Sequence, residues 1–270
     1  MTDAYASLGS WYFPTIAFLF GACIGSFLNV CVSRWPRDES VVKPRSRCPY
    51  CGHEITWYEN IPLISWLALR ARCSGCKAPI SAVYPLLELT VALIWLACVL
   101  QFGPTFTAIR VAAVVTVLLG IMITDATDYV IPDGFTVFGF LFALVAAGVG
   151  TMLGETLPFA TLYDSIIGAC VGAGAIAIIG WLGELALKKE AMGFGDVTLM
   201  AMVGAYLGPG RTLLTIFIGA FLGAVGFLAV VYPIAFVRAR RAGAPFAPPL
   251  VPFGVLLAPA AVLALFWGIR

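Results

Sequence analysis

Long apolar runs joined by short polar links dominate this chain. Runs of about 17–25 apolar residues have the length that crosses a bilayer as a helix, and such runs fall at 11–33, 83–101, 105–124, 134–153, 162–184, 211–236 and 250–269. An eighth, 196–209, spans only about three to four turns at ~1.5 Å per residue, which suits a tilted, partly re-entrant or shielded segment. One sizeable polar stretch, 34–82, separates the first two runs. The pattern predicts an all-α polytopic membrane protein of about eight transmembrane helices with one small polar insert.

Composition agrees: 61% of residues are hydrophobic, 11% are charged and the mean hydropathy is +0.98, well outside the range of soluble domains. The net charge of +2 says little about partners, but its distribution is informative. Basic residues retain loops on the cytoplasmic side, and eight of them lie in 34–82, two in 185–195 and three in 237–249. Eight alternating spans put those three segments on one face, so the insert is expected in the cytoplasm and both termini outside it. No long basic run suggests nucleic acid. The leader MTDAYASLGS carries an acid and no base, so the first span is expected to be retained rather than cleaved as a signal peptide. Heptads, low-complexity tracts and internal repeats are not evident.

The insert contains Cys48-Pro-Tyr-Cys51 and, after 21 intervening residues, Cys73-Ser-Gly-Cys76. Paired C-x2-C at such a gap reads as a four-thiolate structural zinc site, and a reducing cytoplasm disfavours the rival pair of disulfides. A closed tetrahedral site holds a fold without doing chemistry. His53, the only histidine, sits beside Cys51 as a possible substitute ligand, though four thiolates leave a surface role as the simpler reading. Between the knuckles, WYENIPLISWLALR is apolar and aromatic enough either to lie against the membrane or to cover an active-site mouth. Cys23, Cys31, Cys98 and Cys170 have no ligand spacing and read as packing residues.

Carboxylates at the edges of apolar runs are the remaining chemistry, because such a placement is costly and marks a functional site by default. Asp125 ends VLLGIMIT, Asp128 follows three residues on, Asp133 stands in Pro-Asp-Gly, and Asp196 closes Gly193-Phe-Gly195-Asp196. Asp133 and Asp196 each admit a plain reading as N-caps of the next helix. Asp125 does not, and a continuing helix would put Asp128 on its face. In the eight-span topology Asp125 and Asp196 fall at similar depth on the cytoplasmic side. Two close carboxyls share one proton, so that one acts as base on a water while the other polarises a carbonyl. Neither a His-Glu-x-x-His nor a Gly-x-Ser-x-Gly offers another hydrolytic route.

The order GSFLNVCVSRWP (25–36), paired C-x2-C, ENIPLISWL (59–67), YPLLE (84–88), D-x7-D ending in IPD (125–133) and GFGD resembles the type IV prepilin leader peptidase family, over nearly the whole chain. VPFGVLLAP (251–259) is similar to that family's last helix. The resemblance implies an intramembrane aspartyl endopeptidase of the Gly-x-Gly-Asp type, which removes the basic leader of prepilins or pseudopilins at the cytoplasmic face. It also implies S-adenosylmethionine-dependent N-methylation of the new terminus. It places catalysis on Asp125 and Asp196, with Asp128, Asp133, Gly193 and Gly195 in support, Cys48, Cys51, Cys73 and Cys76 on Zn2+, and Asn29, Arg34, Glu59, Asn60 and Glu88 as methyltransferase candidates. The division it suggests is a first transmembrane helix (1–33), a cytoplasmic zinc insert associated with methyl transfer (34–82) and a transmembrane aspartyl peptidase core (83–270). One departure is Thr198, where the family often has lysine.

For Glu88 the alternative is an end-of-helix side chain snorkelling to the interface. Gly168-x3-Gly172 and Gly219-x3-Gly223 permit close helix approach within the chain, or dimerisation as a second use. A different class altogether, a proton or cation transporter, would also want intramembrane aspartates and broken helices. Expected partners are therefore a pilin-like substrate, the lipid bilayer and a possible second copy.

Overall fold

The computed structural model describes residues 11–154, 158–188, 192–242 and 252–267. The N-terminal leader (1–10) and parts of the expected last span and of the 185–195 and 237–249 links fall outside them. The described elements are α1 (Tyr12–Arg34), a short turn of 3-10 helix (Trp35–Arg37), another (Trp57–Asn60), α2 (Ile64–Ala68), α3 (Val83–Phe102), α4 (Phe106–Asp128), α5 (Asp133–Leu153), α6 (Leu162–Leu187), α7 (Phe194–Gly226), a π-helical turn (Phe227–Val231), α8 (Tyr232–Ala242) and α9 (Gly254–Phe266). Six described helices are long and apolar enough to cross a membrane, and α9 is a shorter apolar one. Because α7 is broken at Gly208, the apolar helical segments number eight, each overlapping an expected span. Their outward faces carry side chains such as Phe217, Phe221, Trp181 and Met152, each at least 60% exposed, as a lipid-facing surface requires.

The chain divides into two compact units, one ending at Thr116 and the other beginning at Val117. In the first, α1 packs along α3, and Trp95 of α3 donates its indole N–H to Thr116 Oγ1 at 3.2 Å. Helix limits follow ordinary stop signals: Gly103, at φ 68°, ends α3, and Gly154, in the left-handed region, ends α5. In the second unit Thr161 caps α6, accepting the Asp164 amide at 3.2 Å while its own hydroxyl donates to the Asp164 carboxylate at 2.8 Å.

The core of the second unit is α7 gripped by α6, α5 and α9. Gly168 of α6 and Gly204 of α7 face each other so closely that a Cβ on either would overlap the other's carbonyl oxygen, and Gly172 meets the Met200 carbonyl in the same way. Gly219 and Gly223 admit Leu257 and Leu256 of α9. Both glycine pairs of the sequence are thus used inside the chain, as small-residue helix packing predicts.

The break in α7 has a chemical cause. Pro209 lacks an N–H and Gly208 adopts φ 75°, ψ 174°, so carbonyls one turn earlier lose their helical donors. Ser165 Oγ donates to the freed Ala205 carbonyl at 2.6 Å, the Ala160 amide donates to Tyr206 O at 3.0 Å, and Arg211 donates to the Pro158 carbonyl. Ser165 is fully buried. Ser165→Ala should therefore leave the Ala205 carbonyl without a partner and cost about 1–3 kcal/mol. Equilibrium unfolding in mixed micelles checks this, and unchanged stability would show that the break finds its hydrogen bonds elsewhere.

Candidate active site and metal centre

The second unit brings together two of the aspartates singled out in the sequence. Asp125 lies in the last turn of α4, only 5% exposed, and its Oδ2 accepts the Val255 amide at 3.0 Å, in the first turn of α9. A buried carboxylate at a helix N-terminus gains both donor and dipole. Asp196 occupies the first turn of α7 and lies within electrostatic reach of Asp125. Ile131, in the short link between α4 and α5, packs against a glycine next to each: a Cβ on Gly195 would come within 2.9 Å of Ile131 Cβ, and one on Gly254, beside Val255, within 3.1 Å of Ile131 Cδ1. Gly254 also admits Asp125 itself, since a Cβ there would lie 2.8 Å from its Oδ2. The contributions of Ile131, Gly254 and Val255 were missed in the sequence, where nothing at positions 131 or 254 signals contact with a residue so far away.

The capping readings of two aspartates are corrected. Gly193 is the N-cap of α7 and Asp196 is three residues inside, its amide donating to the Gly193 carbonyl at 3.1 Å. At α5 the cap is Pro132, and Asp133 is the exposed first helical residue with no side-chain cap bond. The α4 helix does continue through Asp128, as a shared face requires, but Asp128 is exposed and accepts from Thr127 Oγ1 at 2.7 Å while Asp125 is buried. Thr198 donates back to the Gly195 carbonyl at 3.0 Å, bracing the turn that carries Asp196.

In the first unit, the sulfurs of Cys48, Cys51, Cys73 and Cys76 lie within 4.8 Å of one another. Cys48 and Cys76 sulfurs are 3.8 Å apart and those of Cys51 and Cys73 are 4.0 Å apart. Those separations match the edge, about 3.8 Å, of a tetrahedron with 2.3 Å zinc–sulfur bonds, and they are far from a disulfide. The two knuckles repeat one another. The Cys48 and Cys73 amides donate across to the His53 and Ala78 carbonyls at 2.9 Å each, and Gly52 and Lys77 return to the Cys48 and Cys73 carbonyls. Backbone amides of Cys51 and Tyr50 bring the Cys48 thiol down to about 7, and that of Cys76, with Gly75, lowers Cys73. Cys51, despite the His53 amide, is pushed up to about 11 by burial and its sulfur neighbours. Thiols so close ionise together only around a cation, so the donor set fits a metal ion.

His53 is not among the four. Its Nε2 lies 3.1 Å from Glu59 Oε2 and 3.0 Å from Ser74 Oγ, turning it away from the sulfurs. The WYENIPLISWLALR segment folds into the 3-10 turn at Trp57 and the short α2, and it walls a cavity of about 700 Å³. All five methyltransferase candidates line that cavity: Asn29, Arg34, Glu59, Asn60 and Glu88. Asn29 donates to the Tyr84 carbonyl at 3.1 Å and Arg34 to the Ser40 carbonyl at 2.8 Å. Glu88 is buried and accepts the Leu63 amide at 2.7 Å, holding a backbone with φ 63°, ψ −48°, so the snorkelling alternative fails. The Ser74 hydroxyl, the Thr56 amide and His53 keep the Glu59 carboxyl down at about 2.

Fold and site thus define a multi-pass membrane protein with a four-thiolate knuckle and a buried aspartate close to a second one. Residues 19–102 match the bacterial peptidase A24 N-terminal domain and residues 112–228 match the type IV leader peptidase family. A prepilin leader peptidase/N-methyltransferase of Aeromonas hydrophila is 36% identical over 96% of this chain and 92% of its own length, and one of Pseudomonas aeruginosa is 36% identical over 95% and 91%. The protein of the same name from Myxococcus xanthus is 42% identical over 75% of this chain, which spans only 59% of that relative. No solved structure matches. This chain belongs to the prepilin leader peptidase/N-methyltransferase family. The transporter alternative is not favoured by these likenesses.

The purified protein should carry about one metal ion per chain, and Cys73→Ser should lose most of it. Elemental analysis with thiol alkylation decides: a metal-free wild type with four reactive cluster thiols would overturn the assignment.

Proposed function

We propose that the protein is an intramembrane aspartyl endopeptidase that cuts the leader from prepilins or pseudopilins, and that it then methylates the amine it exposes. What supports the first half is the buried setting of Asp125, tethered to the start of α9 and within electrostatic reach of Asp196. In this reading one aspartate, as the carboxylate, takes a proton from water as the water oxygen bonds to the scissile carbonyl carbon. The other, holding a proton, donates to the carbonyl oxygen. Collapse of the tetrahedral adduct breaks the C–N bond: the proton held by the base passes to the leaving amine, and a hydroxyl proton of the adduct returns to the other aspartate. The Val255 amide anchors one oxygen of Asp125, which orients the other for this exchange.

The substrate's basic leader would stay in the cytoplasm, with the insert on that side and both termini opposite, as the placement of lysines and arginines suggests. Zn2+ would be held by Cys48, Cys51, Cys73 and Cys76 and would lock the insert. S-adenosylmethionine would supply an electrophilic methyl group when bound, and the cavity of the first unit has the size and mixed polarity of a small-molecule site. Asn29, Arg34 and Asn60 would there orient the donor and the new N-terminus.

Prepilin processing in membranes, with mass spectrometry of the mature terminus, tests the reading. Asp125→Asn and Asp196→Asn should each lower cleavage by at least about a hundredfold, whereas Asp128→Asn should leave most of it, and the wild-type product should gain one methyl group. Full cleavage by either of the first two variants would remove that residue from the chemistry.

A further inference from the structure

Glu59 is held in a way that a turn alone does not require. Its Oε2 accepts from the Thr56 amide and the Thr56 hydroxyl, both at 2.9 Å, which closes a capping box around the 3-10 turn Trp57–Asn60. Two further groups come from the metal knuckles: His53 behind the first, at 3.1 Å, and Ser74 of the second, whose hydroxyl is 3.0 Å from the same imidazole nitrogen. Glu59, His53 and Ser74 all line the cavity. The side chain is 8% exposed and forms part of the cavity wall.

We propose that Glu59 is the anionic anchor for the ammonium group of the methyl donor's amino-acid end, with His53 and Ser74 as positioning residues that tie the anchor to the metal knuckles. This rests on the methyltransferase reading above. The choice of ammonium over sulfonium follows from catalysis itself. Methyl transfer discharges the sulfonium, so a fixed carboxylate beside it would hold the ground state more tightly than the transition state and slow the reaction. An ammonium keeps its charge throughout, and binding it costs nothing at the chemical step. The cavity also offers Arg34 and Asn29 toward the donor's carboxylate end.

Glu59→Gln separates charge from architecture, because glutamine serves in a capping box as glutamate does. Equilibrium binding of S-adenosylmethionine and of S-adenosylhomocysteine, which keeps the ammonium but lacks the sulfonium charge, is measured on the full-length protein in detergent, beside its melting temperature and its prepilin cleavage. The expected result is an affinity loss of about tenfold or more, equal for both ligands, with unchanged melting and cleavage. Ser74→Ala, which keeps the charge and loosens its bracket, should weaken both ligands by a smaller common factor. Unchanged binding by Glu59→Gln would reduce Glu59 to a cap, and a loss confined to S-adenosylmethionine would move the contact to the sulfonium; either overturns the proposal. A wild type that binds neither ligand would instead sink the methyltransferase reading, and this one with it.

Discussion

A backbone carbonyl inside lipid has no water to turn to, and the second unit is organised around that constraint. Helix α7 is broken by Gly208 and Pro209, and the oxygens the break releases are taken up by Ser165 and by the Ala160 amide. Those donors reach them only because α6 comes almost into backbone contact with α7 at Gly168 and Gly204. The close approach and the break therefore require each other. With a bulkier residue at either glycine, Ser165 would be carried away from Ala205; without the break, there would be no free oxygen for it to meet. A consequence is that α7 starts as a short, well-gripped segment, and Asp196 in its first turn inherits a fixed position.

Much of this was legible in one dimension. Hydropathy alone locates eight apolar segments, including the short one ending at the Gly208 break, because a bilayer sets a length that few other environments impose. The two C-x2-C pairs announce their cluster for the same reason: the constraint is local and chemical. What could not be read were contacts that depend on helices meeting. The Val255 amide that holds Asp125 is 130 residues away in the chain, and the need for glycine at 254 exists only once Asp125 and Ile131 stand against it. Local rules even misled, for Asp196 and Asp133 both look like N-caps by composition. The caps fell to Gly193 and Pro132, and each aspartate moved inside its helix.

That last displacement bears on how one chemical group acquires different duties. Glu88 is buried and spends an oxygen on the Leu63 amide, stabilising a backbone conformation that an unsupported leucine would avoid. Glu59 is encircled by hydroxyl, amide and imidazole donors that keep it anionic. Asp125 is held by the Val255 and Gly254 amides at a helix start, under near-complete burial. A carboxylate surrounded by donors is a poor proton carrier and a good fixed charge; one with a second carboxyl in reach is suited to passing a proton. Within each unit the hydrogen-bond complement of the acid, as well as its burial, sets what its charge can do. Asp128 supplies the contrast: one turn from Asp125 on the same helix, it is exposed and accepts from its neighbour Thr127, without the enclosure of Asp125.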